Sequence, residues 1–323
     1  MNIEGKTVAV TGVGGFIGGR VAARLASMGA RVRGVDLDPD AVSRASRAGV
    51  EAEQGDITSK ACMARLVEGA DLVVHTAACV REGGRYALFD RINVGGTRCV
   101  ADACRAARVA QLVHLSSVMV YGFDYPDGVT EEGPYPALEG NPYVLTKLRS
   151  EGAAMTAHHG PTGVTIIRPG DVYGPGSVPW VERPLGLMRQ GLFVLPDGGR
   201  ALLNHVHVEN LVDAIVLAVE RDVTGVPINV TDGARTTTKT FFTHLAQTAG
   251  LPAPRTLPSA VLDRAFAVLE GACRVARIEP PAQRSALDFL RRPGLYSIER
   301  ARTRLGYVPR IDLETGMREL AGA

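Results

Sequence analysis

Aromatic residues make up only 5% of the 323 positions, with a single tryptophan, and the formal net charge is only +2. A charge so near zero leaves no electrostatic footprint for a nucleic-acid partner. No stretch approaches the roughly 20 apolar residues that a membrane-spanning helix needs. The first residues hold no basic run followed by a long apolar one and lead straight into Thr7-Val8-Ala9-Val10. No secretory signal is therefore expected, and a cytoplasmic location is. The five cysteines (Cys62, Cys79, Cys99, Cys104, Cys273) include no C-x-x-C pair. That argues against a zinc ribbon or thioredoxin-type site and for thiols in a reducing compartment. His205 and His207 alternate along a strand and share a face. Two histidines without a third ligand do not make a metal site, so the expectation is structural hydrogen bonding and no metal. Internal repeats and low-complexity segments are also lacking.

What the chain does have is alternation. Short β-rich runs at Thr7–Thr11, Arg31–Asp36, Val50–Gln54, Leu72–Thr76, Leu112–Ser116 and Val164–Arg168 are separated by helical patterns. Three of those patterns are Phe16–Met28, Asn93–Arg108 and Pro142–His158. Strands alternating with helices predict an α/β fold, a doubly wound parallel (Rossmann) sheet with crossover helices. Beyond Arg168 the pattern loosens, and Pro169–Pro184 reads as loop. Strands at Val206–Val208 and Ile228–Val230 and helices at Glu209–Val219, Thr238–Gly250, Val261–Ile278 and Ser297–Leu305 follow. The expected division is residues 1–168 as the dinucleotide domain and 169–323 as a smaller, mainly substrate-binding domain interleaved with the end of the sheet.

Thr11-Gly12-Val13-Gly14-Gly15-Phe16-Ile17-Gly18 follows the first strand and opens the first helix. In that context Gly12 serves a tight turn, Gly15 the approach of backbone to a pyrophosphate and Gly18 close helix-strand packing. The helix start through Phe16 and Ile17 attracts the anion. Asp36 ends the second strand eighteen residues after Gly18. A carboxylate there can take both ribose hydroxyls and repels a 2′-phosphate, so NAD is expected over NADP. Asp56 is placed to accept from the adenine amino group or to cap a helix, and Ile57 to lie on the adenine ring. Ala77 and Ala78 follow the fourth strand, where small residues let a cofactor lie close to the backbone.

Tyr143 and Lys147 are four residues apart in a helical segment and share one face. A phenol with pKa near ~10 is a poor proton shuttle at neutral pH. Lowering it by roughly three units takes about 4 kcal/mol of differential stabilisation, which Lys147 and a positive nicotinamide ring are placed to supply. Ser117, at the end of the fifth strand, is placed to hold the substrate oxygen.

Together the motifs resemble the extended short-chain dehydrogenase/reductase family over nearly the whole chain. They are T-G-x-x-G-x-x-G at Thr11–Gly18, Asn93-Val94-Gly95-Gly96-Thr97, Ser116-Ser117-Val118-Met119-Val120-Tyr121-Gly122, the Tyr143-x-x-x-Lys147 pair, Arg168-Pro169-Gly170-Asp171-Val172-Tyr173-Gly174-Pro175-Gly176 and His205-Val206-His207-Val208. The resemblance implies that Ser117 is the catalytic serine and Tyr143 the acid/base. It makes Lys147 the group that binds the nicotinamide ribose and tunes Tyr143, and gives Asn93 a supporting place in the catalytic set. Pro169 to Val172 should line the nicotinamide pocket, and Ser116 should touch the cofactor only. A homodimer is the family's usual assembly.

Within that family, Val118 and Met119 stand where sugar dehydratases need an extra acid and base, which disfavours elimination. Leu203-Asn204 stands where nucleotide-sugar enzymes commonly carry an arginine, and Val208-Glu209-Asn210 is similar to the 3β-hydroxysteroid dehydrogenase branch. The leading expectation is an NAD-dependent oxidoreductase interconverting a secondary alcohol and ketone on an apolar small molecule such as a steroid. The alternative is a nucleotide-sugar 4-epimerase with tightly held NAD. The Val261–Ile278 helix carries Leu262, Phe266, Leu269, Cys273 and Ala276 on one stripe and Val261, Val268 and Val275 on the next. It reads as a pocket roof, a core or dimer contact, or a peripheral membrane contact. Residues 274–310 hold nine arginines against three acids, which reads as a solvated basic surface or as contact with an anionic partner.

Overall fold

The computed structural model describes residues 1–80, 84–136, 141–158, 160–276 and 284–322. Its centre is a seven-stranded sheet. In chain order the first six strands are β1 (Thr7–Thr11), β2 (Arg31–Asp36), β3 (Glu51–Gln54), β4 (Leu72–His75), β5 (Gln111–Leu115) and β6 (Gly163–Pro169). The seventh is Pro227–Val230, and the spatial order is Pro227–Val230, β6, β5, β4, β1, β2, β3, all parallel. The helices of the first half are α1 (Phe16–Ser27), α2 (Pro39–Arg47), α3 (Lys60–Val67), α4 (Tyr86–Phe89), α5 (Thr97–Ala106) and α6 (Pro142–Met155).

The central strands β1, β4 and β5 are buried along nearly their whole length because helices cover both faces. Val8 and Val10 of β1 join α1 and the helix Val208–Glu220 in one core. Ala9, one residue out of phase, joins α3 and α5 in the other. The strand order reverses between β1 and β4, and at such a switch point the carboxyl ends of the strands diverge into a crevice where ligands bind.

The second half differs most from the expected pattern. Pro169–Pro184 is not all loop. Asp171–Tyr173 forms a short strand, β7, parallel to His205–His207. Residues 178–182 make a π-turn that runs into the helix Arg183–Arg189. Pro184 follows just after that turn and is buried. A three-residue strand whose partner lies more than thirty positions away leaves no local period to read. The expected helix at Asn93 begins earlier, at α4, and passes through a π-helical stretch, Asp90–Gly96, before α5.

The long helix is Ser259–Ala276, and the rest of the expected span, together with Glu279 and Arg277, lies outside the described residues. Its apolar stripes divide: Leu262 and Cys273 are buried, while Val261 and Val268 face outward. No helix among the described residues is long and apolar enough to cross a membrane. Much of the basic segment is paired internally. Arg284 and Arg291 meet Asp263, Arg300 meets Glu131 and Glu132, and Arg310 meets Asp213.

Candidate active site

The residues singled out from the sequence gather at the carboxyl ends of the strands. Gly12 leaves β1 with φ of +70°, and a Cβ there would sit 3.0 Å from the backbone of Ala77. A side chain on Gly18 would lie 2.1 Å from the Gly12 carbonyl oxygen and 2.7 Å from Thr76 Oγ1. The loops after β1 and β4 can therefore touch only because these positions lack side chains. Gly14 carries a constraint the sequence reading missed, since a Cβ there would meet the Ala41 carbonyl at 2.4 Å, against α2. Gly15 is exposed, and α1 starts there with no side-chain cap and no acid in its first turn. Its first N–H groups, at Phe16 and Ile17, are open to an anion such as a pyrophosphate, so the loop fits the dinucleotide. Asp36 accepts from the Gly14 N–H at 3.1 Å and from Asp38, which fixes its carboxylate beside the glycine turn. Asp56 closes a turn onto the Thr58 N–H at 2.8 Å, while Ser59 caps α3. Ile57 is buried against Gly96, where a Cβ would come within 2.5 Å of it. Ala77 and Ala78 are partly exposed beside the crevice.

The candidate reacting groups come from two elements. Ser117, after β5, caps a 3-10 turn over Val118–Tyr121, its Oγ accepting from the Met119 N–H at 3.1 Å. Asn141 caps α6 by accepting from the Tyr143 N–H at 2.9 Å, with Pro142 in the first turn. Tyr143 thus stands at the positive end of α6, and Lys147 one turn further on the same face. The Tyr143 phenol lies near Ser117. Burial pushes that phenol up from its usual value, and the Ser117 contact opposes the push only in part. The expected lowering by Lys147 is absent from the protein alone. The ammonium is buried and donates to the Leu115 carbonyl at 2.6 Å. Burial draws Lys147 down to about 8, against the opposite pull of Glu151. Behind it His75 and His114, ring centroids 5.2 Å apart, are held neutral, His75 down at about 3, by burial and then by the Lys147 charge.

Asn93 lies in the π-helical stretch, and its side chain is fully engaged. Oδ1 accepts from the Cys79 N–H at 2.7 Å, and Nδ2 donates to Thr146 Oγ1 at 3.1 Å and to the Cys79 carbonyl at 3.3 Å. It ties the loop after β4 to α6. The extra residue per turn of a π-helix is what carries Asn93 inward.

Ser116 turns away from the crevice. It donates to Glu151 Oε1 at 2.5 Å. Glu151, one turn beyond Lys147, takes a bidentate pair from Arg168 at 2.8 and 2.7 Å. Arg168 also donates to Tyr121 at 2.6 Å and Tyr135 at 3.0 Å. This buried network clamps α6 to β6 behind Tyr143 and Lys147. Arg168 and Glu151 were not picked out as a pair from the sequence, although a charged residue inside an otherwise apolar strand was a signal. Pro169 ends β6 and Val172 lies in β7, both buried. His205 bridges Asp232 at 2.9 Å and Thr236 at 2.8 Å, a structural role as expected.

Residues 8–231 match the family model described as the NAD dependent epimerase/dehydratase family. The chain is 29% identical to 4-hydroxy-2-methyl-3-oxo-4-farnesyl-3,4-dihydroquinoline-1-oxide ketoreductase of Stigmatella aurantiaca, covering 97% of this chain and 95% of that protein. It is 28% identical to 2-alkyl-3-oxoalkanoate reductase of Stenotrophomonas maltophilia, covering 97% and 98%. Its fold is similar to that of an epimerase from Methanothermobacter thermautotrophicus, with a TM-score of 0.81 at 22% identity over 99% of this chain and 92% of the other. The chain belongs to the NAD-dependent epimerase/dehydratase family, the extended short-chain dehydrogenase/reductases, and is an NAD-dependent enzyme of the oxidoreductase kind.

Proposed function

We propose that this enzyme reduces a ketone on an apolar substrate, one with a steroid-like ring system or a long alkyl chain, to the secondary alcohol. The observation that carries the reading is the Tyr143 phenol at the head of α6 beside Ser117, with the buried Lys147 one turn behind. The two reductases to which the chain is similar are both named for keto substrates with apolar chains, which supports the choice among family chemistries. NAD, in its reduced form, supplies the hydride. Ser117 holds the carbonyl oxygen and Tyr143 gives that oxygen its proton. A phenol carries its proton at neutral pH, as the donor in a reduction must, while burial disfavours the phenolate left behind and Ser117 offsets that in part. Asp36 holds the adenosine ribose, the α1 start holds the pyrophosphate, and Lys147 holds the nicotinamide ribose. Pro169 and Val172 wall the nicotinamide end. Asn93 and the Glu151–Arg168 pair position α6 and touch no substrate.

Tyr143→Phe should lower kcat/KM for ketone reduction by on the order of 10²–10⁴, with NAD affinity unchanged within experimental error. Turnover retained in that variant would remove Tyr143 from the mechanism. A wild-type enzyme that leaves ketones untouched but converts a UDP-sugar to its 4-epimer would move the assignment to the epimerase.

A further inference from the structure

His75 has no task in this mechanism, yet it closes β4, a strand otherwise of buried apolar side chains, and is itself buried. Both ring nitrogens are engaged. Nδ1 lies 2.7 Å from the Thr11 hydroxyl and Nε2 2.9 Å from the Thr97 hydroxyl. The surroundings fix which group donates in each contact. The Thr97 hydroxyl sits 2.6 Å from the Asn93 carbonyl oxygen, which has no proton to give, so the Thr97 proton is spent there. Thr97 then accepts from the ring, and Nε2 carries the hydrogen. Burial, and then the Lys147 charge, keeps the imidazole neutral. Nδ1 is therefore bare and accepts from Thr11, whose oxygen in turn accepts from the Ala77 N–H at 3.3 Å.

Two arms leave this ring. One runs through Thr11 to Ala77, whose backbone the Gly12 turn packs against. The other runs through Thr97 to Asn93, whose side chain donates to Thr146 at 3.1 Å. Thr146 donates to the Pro142 carbonyl in the first turn of α6, next to Tyr143. The cofactor turn and the Tyr143 end of α6 are thus fastened to one imidazole. Each donor along both arms has its acceptor, and only the neutral tautomer with hydrogen on Nε2 allows this.

Resting on the ketone-reductase reading of the site, we propose that His75 is a two-sided positioning residue. Its Nδ1 sets the cofactor turn through Thr11, and its Nε2 sets Asn93, and with it the Tyr143 end of α6, through Thr97.

A side-chain amide can replace one side of an imidazole at a time. In His75→Asn the amide oxygen reaches the place of Nδ1 and keeps the Thr11 arm. In His75→Gln the amide nitrogen reaches the place of Nε2 and keeps the Thr97 arm. NAD affinity, by titration calorimetry, reads the first arm. Amide hydrogen exchange in α6, with kcat for reduction of 2-decalone at saturating reduced NAD, reads the second. Each variant lacks one hydrogen bond, so His75→Gln should weaken NAD binding on the order of fivefold more than His75→Asn does. His75→Asn should speed exchange in α6 and lower kcat on the order of fivefold more than His75→Gln does. A ring that only fills space would rank the two variants alike in both readouts, and that ranking, or no loss in either, would overturn the proposal. If the variants fail to fold, the near-isosteric Thr11→Val and Thr97→Val each remove one hydroxyl and carry the same comparison. Nitrogen-15 NMR of the wild type at neutral pH should find the His75 hydrogen on Nε2, and a hydrogen on Nδ1 would refute both arms. Reduction of ketones by the wild type is scored separately. Without it the reductase reading falls, while calorimetry and exchange still decide the fastening. Turnover with like rankings removes the fastening and leaves the reductase.

Discussion

Replacing Lys147 with methionine should change the pH dependence of stability as well as abolish activity. In the folded protein burial holds the ammonium at about 8, against 10.5 for the ordinary side chain. Below pH 8 folded and unfolded chains both carry the proton, and the fold bears the full penalty of a buried charge. Between pH 8 and 10.5 only the unfolded chain keeps it, so the wild type gains stability as pH rises, by up to about 1.4 kcal/mol per unit. From pH 7 to pH 10 the gain sums to about 2–3 kcal/mol. The Lys147→Met variant has no proton to lose there, and subtracting it cancels other titrating groups. The assay is urea unfolding of both proteins at pH 7, 8, 9 and 10 at constant ionic strength. The wild type should gain on the variant by that amount across the series. A difference that stays flat would refute the depressed ammonium, and with it the view that Lys147 sits in a low-dielectric pocket before cofactor binds.

Glu151→Gln should cost about 3–5 kcal/mol, because it leaves the buried Arg168 guanidinium without its charge partner; a midpoint shift under 1 kcal/mol in urea would show the pair to be dispensable. Gly18→Ala forces a side chain to within 2.1 Å of the Gly12 carbonyl; titration calorimetry should show NAD affinity falling by at least about tenfold, and unchanged affinity would contradict the packed turn. Asp36→Ala should erase the preference for NAD over NADP, a ratio that coenzyme titrations read directly, and an unaltered ratio would place ribose selection elsewhere.

The centre of the parallel sheet was legible because its strands are buried apolar runs bounded by turn residues. Val8 to Val10 and Leu72 to Val74 admit little else. The glycine turn was legible because Gly12 and Gly18 each answer a steric demand that no other residue meets. The helices α2 and α3 carry caps at Asp38 and Ser59, but their bodies are too short for a helical period to stand out in the sequence. β7 was not legible, since its pairing with His205–His207 is made across the fold.

The site divides the same way. Spacing alone brings Tyr143 and Lys147 to one face of one helix, and strand ends bring Asp36 and Ser117 to one edge of the sheet, because both follow from local periodicity. The side on which Ser116 points, the engagement of Asn93 with Cys79 and Thr146, and the meeting of Arg292 with Asp171 across 121 positions were decided only in the tertiary structure. So was the balance at Tyr143. A reference pKa belongs to the residue, but the direction of its shift belongs to what covers it. Here burial outweighs the opposing effect of Ser117, and Lys147 spends its proton on the Leu115 carbonyl. Local sequence determines which groups lie near one another along a helix or strand, whereas solvent exclusion is a property of the whole packed chain, and it sets the charge states on which the chemistry runs.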